Sequence, residues 1–179
     1  VVVQPGRGES CQNMVFVGEA HPLARSIPDM DMRTTAEGSP RERRGEVARI
    51  EAGIPRFGAE MDENVLPQEC GLGETAVSYQ KGCYIGQEVL NRIHSFGHVN
   101  RELRGFVPVV DALPAKGDKI LCQGKEVGQL TSVTRSLKYG RNIALGYLRR
   151  EAMQAGAELF VQSPAGLDPI KTVALPFAL

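Results

Sequence analysis

The residues best suited to chemistry lie in one octet, Lys81-Gly82-Cys83-Tyr84-Ile85-Gly86-Gln87-Glu88. A thiol stands between two glycines, two residues after a lysine and just ahead of an apolar run. Ile85, Val89, Leu90 and Ile93 recur at helical spacing, and Gly97 stands where such a helix would stop. The pattern predicts a tight turn, made by Gly82 and Gly86, that opens a helix begun by Gln87 and Glu88. Cys83 then sits near the helix N-terminus, where free N–H groups and partial positive charge favour a thiolate, and Lys81 adds a full charge. The alternative is a small buried apolar filler, since free cysteine is among the most buried residue types. The octet alone leaves both open.

A second candidate is Glu51, in Arg49-Ile50-Glu51-Ala52-Gly53-Ile54-Pro55. Ser39-Pro40-Arg41-Glu42 reads as a capping box with proline at the first helical position. Gly53 and Pro55 end the helix, which should cover residues 40–52. Val47, Ile50 and Ile54 mark its apolar stripe. Glu51, four residues after Val47, falls on that stripe rather than on the charged side. A carboxylate facing an interior is costly unless paired. Its partner is either a nearby arginine, Arg49 or Arg56, or a flat ligand with adjacent N–H donors, such as an aminopyrimidine edge.

Other groups carry weaker signals. Asp29 and Asp31 lack the glycine turn and distal glutamate of a calcium loop. Glu60, Asp62, Glu63 and Glu69 crowd residues 57–73 at irregular spacing without a histidine, which reads as a solvated loop. Gly71-Leu72-Gly73 is half of a dinucleotide fingerprint with no strand-to-helix crossover. His94 and His98 follow Cys70 and Cys83, but those cysteines are too far apart for a zinc finger, so no metal is expected. Cysteines at 11, 70, 83 and 122 show no disulfide framework, and reduced thiols point to a cytoplasmic setting.

The elements that must position these groups change character along the chain. The first forty residues offer two candidate strands, 14–17 and 27–33, then a polar connection over 33–39. Residues 77–79 read as a short strand delivering Lys81 to its turn. From Leu103 the chain becomes short strands with regular turn signals: 103–110, 119–122, 127–134, 142–148, 158–161 and 171–175, with a hairpin at Gln123-Gly124 and one helical turn within 149–155. Six strands left with bare edges would be a liability, so a small antiparallel barrel is the natural closure. The predicted fold is α+β, divided into residues 1–100 and a barrel over 101–179. The 179 residues suffice for a real core. Basic and acidic side chains balance at 21 each, so no global field draws the chain to nucleic acid or membrane. No apolar run reaches membrane-spanning length. Aromatics on the barrel strands are scattered, which argues against base stacking, and the basic stretch 135–141 reads as a solvated loop that could touch a phosphate.

Lys-Gly-Cys-Tyr-x-Gly-Gln-Glu resembles the signature of YgfZ-type folate-binding proteins, relatives of the glycine-cleavage T-protein (the aminomethyltransferase, or GcvT, superfamily). The stretch 49–55 resembles the Arg-x-Glu-x-Gly element of that superfamily, and Leu175-Pro176-Phe177 resembles its C-terminal ending. The similarity runs from about Glu46 onward. It implies a GcvT/YgfZ-type folate-binding α/β domain, present only as its C-terminal portion, followed by the barrel, with a further N-terminal portion beyond this sequence. It implies tetrahydrofolate or a one-carbon derivative as cofactor, with Glu51 on the pterin edge and Arg49, Tyr84 and Gln87 alongside. Cys83 would be a nucleophile, a redox thiol or a transient cluster ligand, and Lys81 would favour the thiolate or bind the glutamate tail of the folate. The implied role is support of iron–sulfur client or assembly proteins, including tRNA-modifying enzymes. The alternatives are a folate-dependent aminomethyltransferase and a non-enzymatic assembly protein.

Overall fold

A computed structural model describes residues 39–111, 113–154, 157–164 and 166–178. The strands expected at 14–17 and 27–33 therefore lie outside the described residues.

Local sequence explains the first helix, α1 (Pro40–Glu51). The Glu42 N–H donates to Ser39 Oγ at 3.4 Å, and the Ser39 N–H donates back to the Glu42 carboxylate. Two of the orphan donors at the helix start are thus satisfied reciprocally. Ala52 caps the other end, and Gly53 turns the chain with φ +68°. The second helix, α2 (Gln87–Phe96), ends at Gly97 as its spacing predicts.

The remaining strands are β1 (Arg101–Pro108), β2 (Lys119–Cys122), β3 (Lys125–Ser136), β4 (Arg141–Arg149), β5 (Leu159–Ser163) and β6 (Gly166–Val173). They close into an antiparallel barrel in the order β1-β4-β3-β2-β5-β6. Gln123 and Gly124 both take positive φ, 51° and 76°, the backbone of a two-residue hairpin whose twist suits the strands it joins. The helical turn expected after β4 is a short 3-10 turn at Arg150–Ala152. β6 begins earlier than its β-branched residues suggest, because Leu167, Asp168 and Pro169 pair with β5 as well.

Two apolar clusters hold this arrangement. Inside the barrel lie Phe106, Ile120, Leu130, Leu148, Val161 and Ile170. Outside it, α1 and residues 61–72 cover Leu103, Val107, Ile143, Leu145 and Tyr147 with Ile50, Val65 and Cys70. Strand β4 is therefore buried on both faces, which is why it reads as a nearly unbroken apolar run. The C-terminal Leu-Pro-Phe closes this second cluster. A Cβ added at Gly105 would meet the Phe177 ring at 2.7 Å, and one at Gly53 would meet Leu175 at 2.9 Å.

Two expectations need correction, and one helix face is left largely open. Residues 77–79 form no strand; Tyr79 instead stacks on His94 of α2, with ring centroids 3.9 Å apart. The loop 57–73 is not uniformly solvated, because Glu60 is only 2% exposed. The apolar stripe of α2 is mostly uncovered by the described residues: Leu90 is buried, whereas Ile85 is 71% and Phe96 92% exposed. Among the described residues no helix is long and apolar enough to cross a membrane.

Candidate functional site

Arg49 and Glu51, two residues apart in the last turn of α1, both reach strand β3. Arg49 Nη2 donates to Ser132 Oγ at 2.9 Å, and Ser136 Oγ donates to Glu51 Oε1. Ser132 and Ser136 are four apart on one strand, hence on the same face. The Lys138 N–H also approaches Glu51 Oε1, at 3.4 Å, and Ser136 Oγ accepts the Tyr139 N–H at 3.0 Å. The partner of Glu51 within the chain is thus the β3–β4 hairpin, not Arg49 or Arg56. Glu51 is half-buried, and its Oε2 makes no hydrogen bond among the described residues. One carboxylate oxygen is held while the other is left as an acceptor.

Arg49 is committed elsewhere. Its Nε and Nη2 donate to the two oxygens of Glu46 at 3.0 and 2.6 Å, and Nη1 donates to Glu60 at 2.8 Å and to the Ile54 carbonyl at 2.6 Å. With Ser132 included, all five guanidinium N–H groups are used inside the chain. Arg49 is a clasp between α1, the following loop and the barrel, with no donor spare for a ligand. Burial alone would lower its pKa, but Glu46 and Glu60 together raise it. Burial likewise works to raise the Glu46 carboxyl, and the Arg49 hydrogen bond and charge, with Arg56, bring it below its ordinary value.

Glu60 was missing from the sequence-derived site and is the centre of this clasp. One oxygen accepts from Arg49 and from the Arg56 N–H at 3.0 Å; the other accepts from Thr131 Oγ1 at 3.0 Å and from Ser132 Oγ. Its backbone carbonyl takes the Tyr147 hydroxyl at 2.8 Å. Successive strand residues point to opposite faces, so Thr131 and Ser132 can meet one carboxylate only where the strand is irregular. The β3–β4 register does shift there, between Leu130 and Ser132.

The octet forms a second, separate group. Gly86 caps α2 with φ +85°, where glycine is favoured, but a Cβ on Gly82 would meet nothing, so only one of the two glycines is demanded by the backbone. The Lys81 N–H donates to Ser78 Oγ at 3.3 Å, the Tyr84 hydroxyl to the Ser78 carbonyl at 3.0 Å, and Gln87 Nε2 to the Lys81 carbonyl at 3.3 Å. Lys81 Nζ lies 4.5 Å above the Tyr84 ring, a cation–π contact. Glu88 occupies the first turn of α2, where negative charge suits the helix dipole.

Cys83 is exposed on this tied turn, so it is not an apolar filler. Cys70 is that filler: burial pushes its thiol up to about 11. No hydrogen bond or ion pair links Glu51 to the Cys83 turn among the described residues. A shallow depression lined by Leu121, Phe160 and Leu167, with Gln123 and Glu158, contains neither group. No cluster of three or more His, Cys, Asp or Glu suited to a metal occurs among the described residues.

Comparison with known proteins decides the kind of barrel. Residues 101–178 match the family model for the glycine cleavage T-protein C-terminal barrel domain. The barrel is of the glycine cleavage T-protein type. The matches to curated relatives are longer, at 129 or 130 residues. The aminomethyltransferase of Geobacillus sp. (strain WCH70) is 30% identical over 129 residues, 72% of this chain and 35% of that protein. An aminomethyltransferase of Nostoc sp. is 33% identical over 129 residues, again 72% of this chain and 34% of the relative. A dimethylsulfoniopropionate demethylase of Ruegeria pomeroyi is 32% identical over 130 residues, 69% of this chain and 34% of the relative. The chain thus spans about a third of the length of the curated relatives it matches. The crystal structure of the glycine cleavage system aminomethyltransferase T from Bartonella henselae superposes with a TM-score of 0.67 at 20% identity. It covers 74% of this chain and 37% of that one, and it supports the T-protein-type fold.

Proposed function

We propose that this chain belongs to a tetrahydrofolate-binding protein that supports iron–sulfur enzymes, including tRNA-modifying ones, in the cytoplasm. The observation that carries this reading is Cys83: an exposed thiol on a turn tied by Ser78, Tyr84 and Gln87, inside the Lys-Gly-Cys-Tyr-x-Gly-Gln-Glu signature. In this reading residues 1–100 contribute to the folate-binding part and the barrel from residue 101 braces it. Glu51 fits the donor edge of a pterin, because Oε1 is fixed by Ser136 and Lys138 while Oε2 remains available. The reduced folate supplies one-carbon or reducing chemistry when bound. Cys83 acts as the nucleophile, redox thiol or transient cluster ligand, with Lys81 two residues before it on the same turn. Arg49 is left out of the ligand contacts, since its donors are spent.

The test is complementation in a strain lacking the gene. Cys83→Ser should fold and bind tetrahydrofolate yet fail to restore the tRNA modifications, measured by mass spectrometry. Full restoration would remove the thiol from the mechanism. The second reading, a folate-dependent aminomethyltransferase, would then lead, because aminomethyltransferases recur among the relatives.

A further inference from the structure

Helix α2 is amphipathic, but it is docked with its polar side inward. Gln87, Leu90, Asn91 and His94 recur at helical spacing and share the face turned to the rest of the chain. Leu90 is buried there, and its carbonyl accepts from Gln68 Nε2 at 3.2 Å. Gln87 Nε2 donates to the Lys81 carbonyl, and His94 stacks on Tyr79. Val89, Arg92, Ile93 and Phe96 recur at the same spacing on the opposite side. Val89 is 53% exposed and Phe96 92%, and the exposed Ile85 on the preceding turn lengthens the strip. A surface helix ordinarily buries its apolar stripe and leaves polar residues to water. The reversal in α2 makes its outer side a contact face.

The charges beside the strip choose the occupant. Glu88 and Arg92, four residues apart and both exposed, stand along one edge of it. Neither joins an ion pair among the described residues; the ion pair of α2 is His94 with Glu74, at 3.5 Å on the inner side. Two helices laid antiparallel about a two-fold axis bring like edge against like edge. A second copy therefore offers its Arg92 to Glu88 and its Glu88 to Arg92. With the axis level with Leu90, midway between the two charges, Val89 lies beside Val89 of the other copy. Phe96 then falls within one residue of the level of the other copy's Ile85. The antiparallel arrangement also sets the two helix dipoles in opposition, which is favourable. We infer that α2 is a self-association face, on which two copies of this chain pair through Ile85, Val89 and Phe96 and are held in register by two Glu88–Arg92 ion pairs. So short a helix face buries less than the roughly 1,200–2,000 Å² of a stable interface. The dimer is accordingly weak and reversible, forming at about 10–100 µM chain.

Sedimentation velocity of the full chain under reducing conditions tests this. The weight-average mass should rise from that of one chain toward twice that across about 10–100 µM. Phe96→Asp should weaken the association about tenfold or more, whereas Leu137→Asp, at an exposed apolar residue of the β3–β4 hairpin, should leave it unchanged. Glu88→Arg and Arg92→Glu should each weaken it about tenfold, because each sets like charges against like. An equal mixture of those two variants should recover the dimer, since one then carries two positive charges on the edge and the other two negative. That recovery separates lost pairing from a lost helix, which no partner variant would rescue. The inference is overturned by a chain that stays monomeric well above that range, by a dimer that withstands Phe96→Asp, or by a mixture that pairs no better than either variant alone. In the monomeric case, protection of a Phe96→Cys thiol from maleimide would assign the face to the chain before Ser39 instead.

Discussion

Glu60→Gln is the sharpest perturbation of the clasp, because it keeps shape while changing one acceptor into a donor. The Glu60 carboxylate accepts from Arg49, the Arg56 N–H, Thr131 and Ser132, and its side chain is fully shielded from solvent. An amide nitrogen at either position would face two donors instead of accepting from them. It would also remove the buried counter-charge of Arg49, whose side chain is 9% exposed. Breaking one side of a buried ion pair typically costs about 3–5 kcal/mol. Glu46 still pairs with Arg49 at 2.6 Å, which places the expected loss at the lower end, about 3 kcal/mol. For a chain of this size that is a fall of roughly 6–12 °C in Tm. Urea unfolding of the full chain, followed by circular dichroism, should show the midpoint moving by roughly 1–3 M. Glu63→Gln, at an exposed position of the same loop, is the control and should stay within about 0.5 kcal/mol. A Glu60→Gln midpoint indistinguishable from that control would refute the clasp.

Alkylation by a maleimide at pH 8 should mark Cys83 and spare Cys70 in the folded chain. A thiol pushed up to about 11 is ionised in only about one molecule per thousand at that pH, before access is considered; equal labelling by peptide mass spectrometry would contradict the burial of Cys70. Gly105→Ala should cost about 1–3 kcal/mol by forcing its methyl against Phe177 and Val173, and unfolding measurements would detect it. Glu46 has a folded pKa lowered from the ordinary 4.5, so its contribution to stability is complete above that value and is lost as pH falls below it. Acid titration of unfolding should therefore be shallower for Glu46→Gln than for the unsubstituted chain, and identical slopes would exclude the Arg49 pairing.

Much of the framework was legible because its causes are local. The Ser39 capping box, the Gln123-Gly124 turn and the long apolar run of β4 each depend on a few neighbouring residues. Glu60 was not legible for the opposite reason. Its burial depends on donors from α1, the loop after it and β3, and a charge far from its partners in sequence reads as a surface charge. Ser132 and Thr131 looked like ordinary strand residues, since nothing local marks the irregularity that turns both toward one carboxylate. For Glu51 the helical stripe did signal a need for a partner, but that partner, Ser136, lies 85 residues away. The octet gave the start of α2 and Gly97 its stop, whereas the periodicity between them could not tell which apolar side chains the rest of the chain would cover.

Closure of the barrel limits how another protein could engage it. Every strand has a hydrogen-bonded neighbour on both sides for part of its length, so the edges open to an added strand are short: residues 101–104 of β1 and 130–136 of β3 pair with β4 alone. Recruitment by main-chain pairing is therefore confined to these short stretches. Elsewhere recognition goes through side chains, at the loops between strands or along the uncovered side of α2. Substitutions at those positions can alter partner choice while the ladder that supports them stays intact.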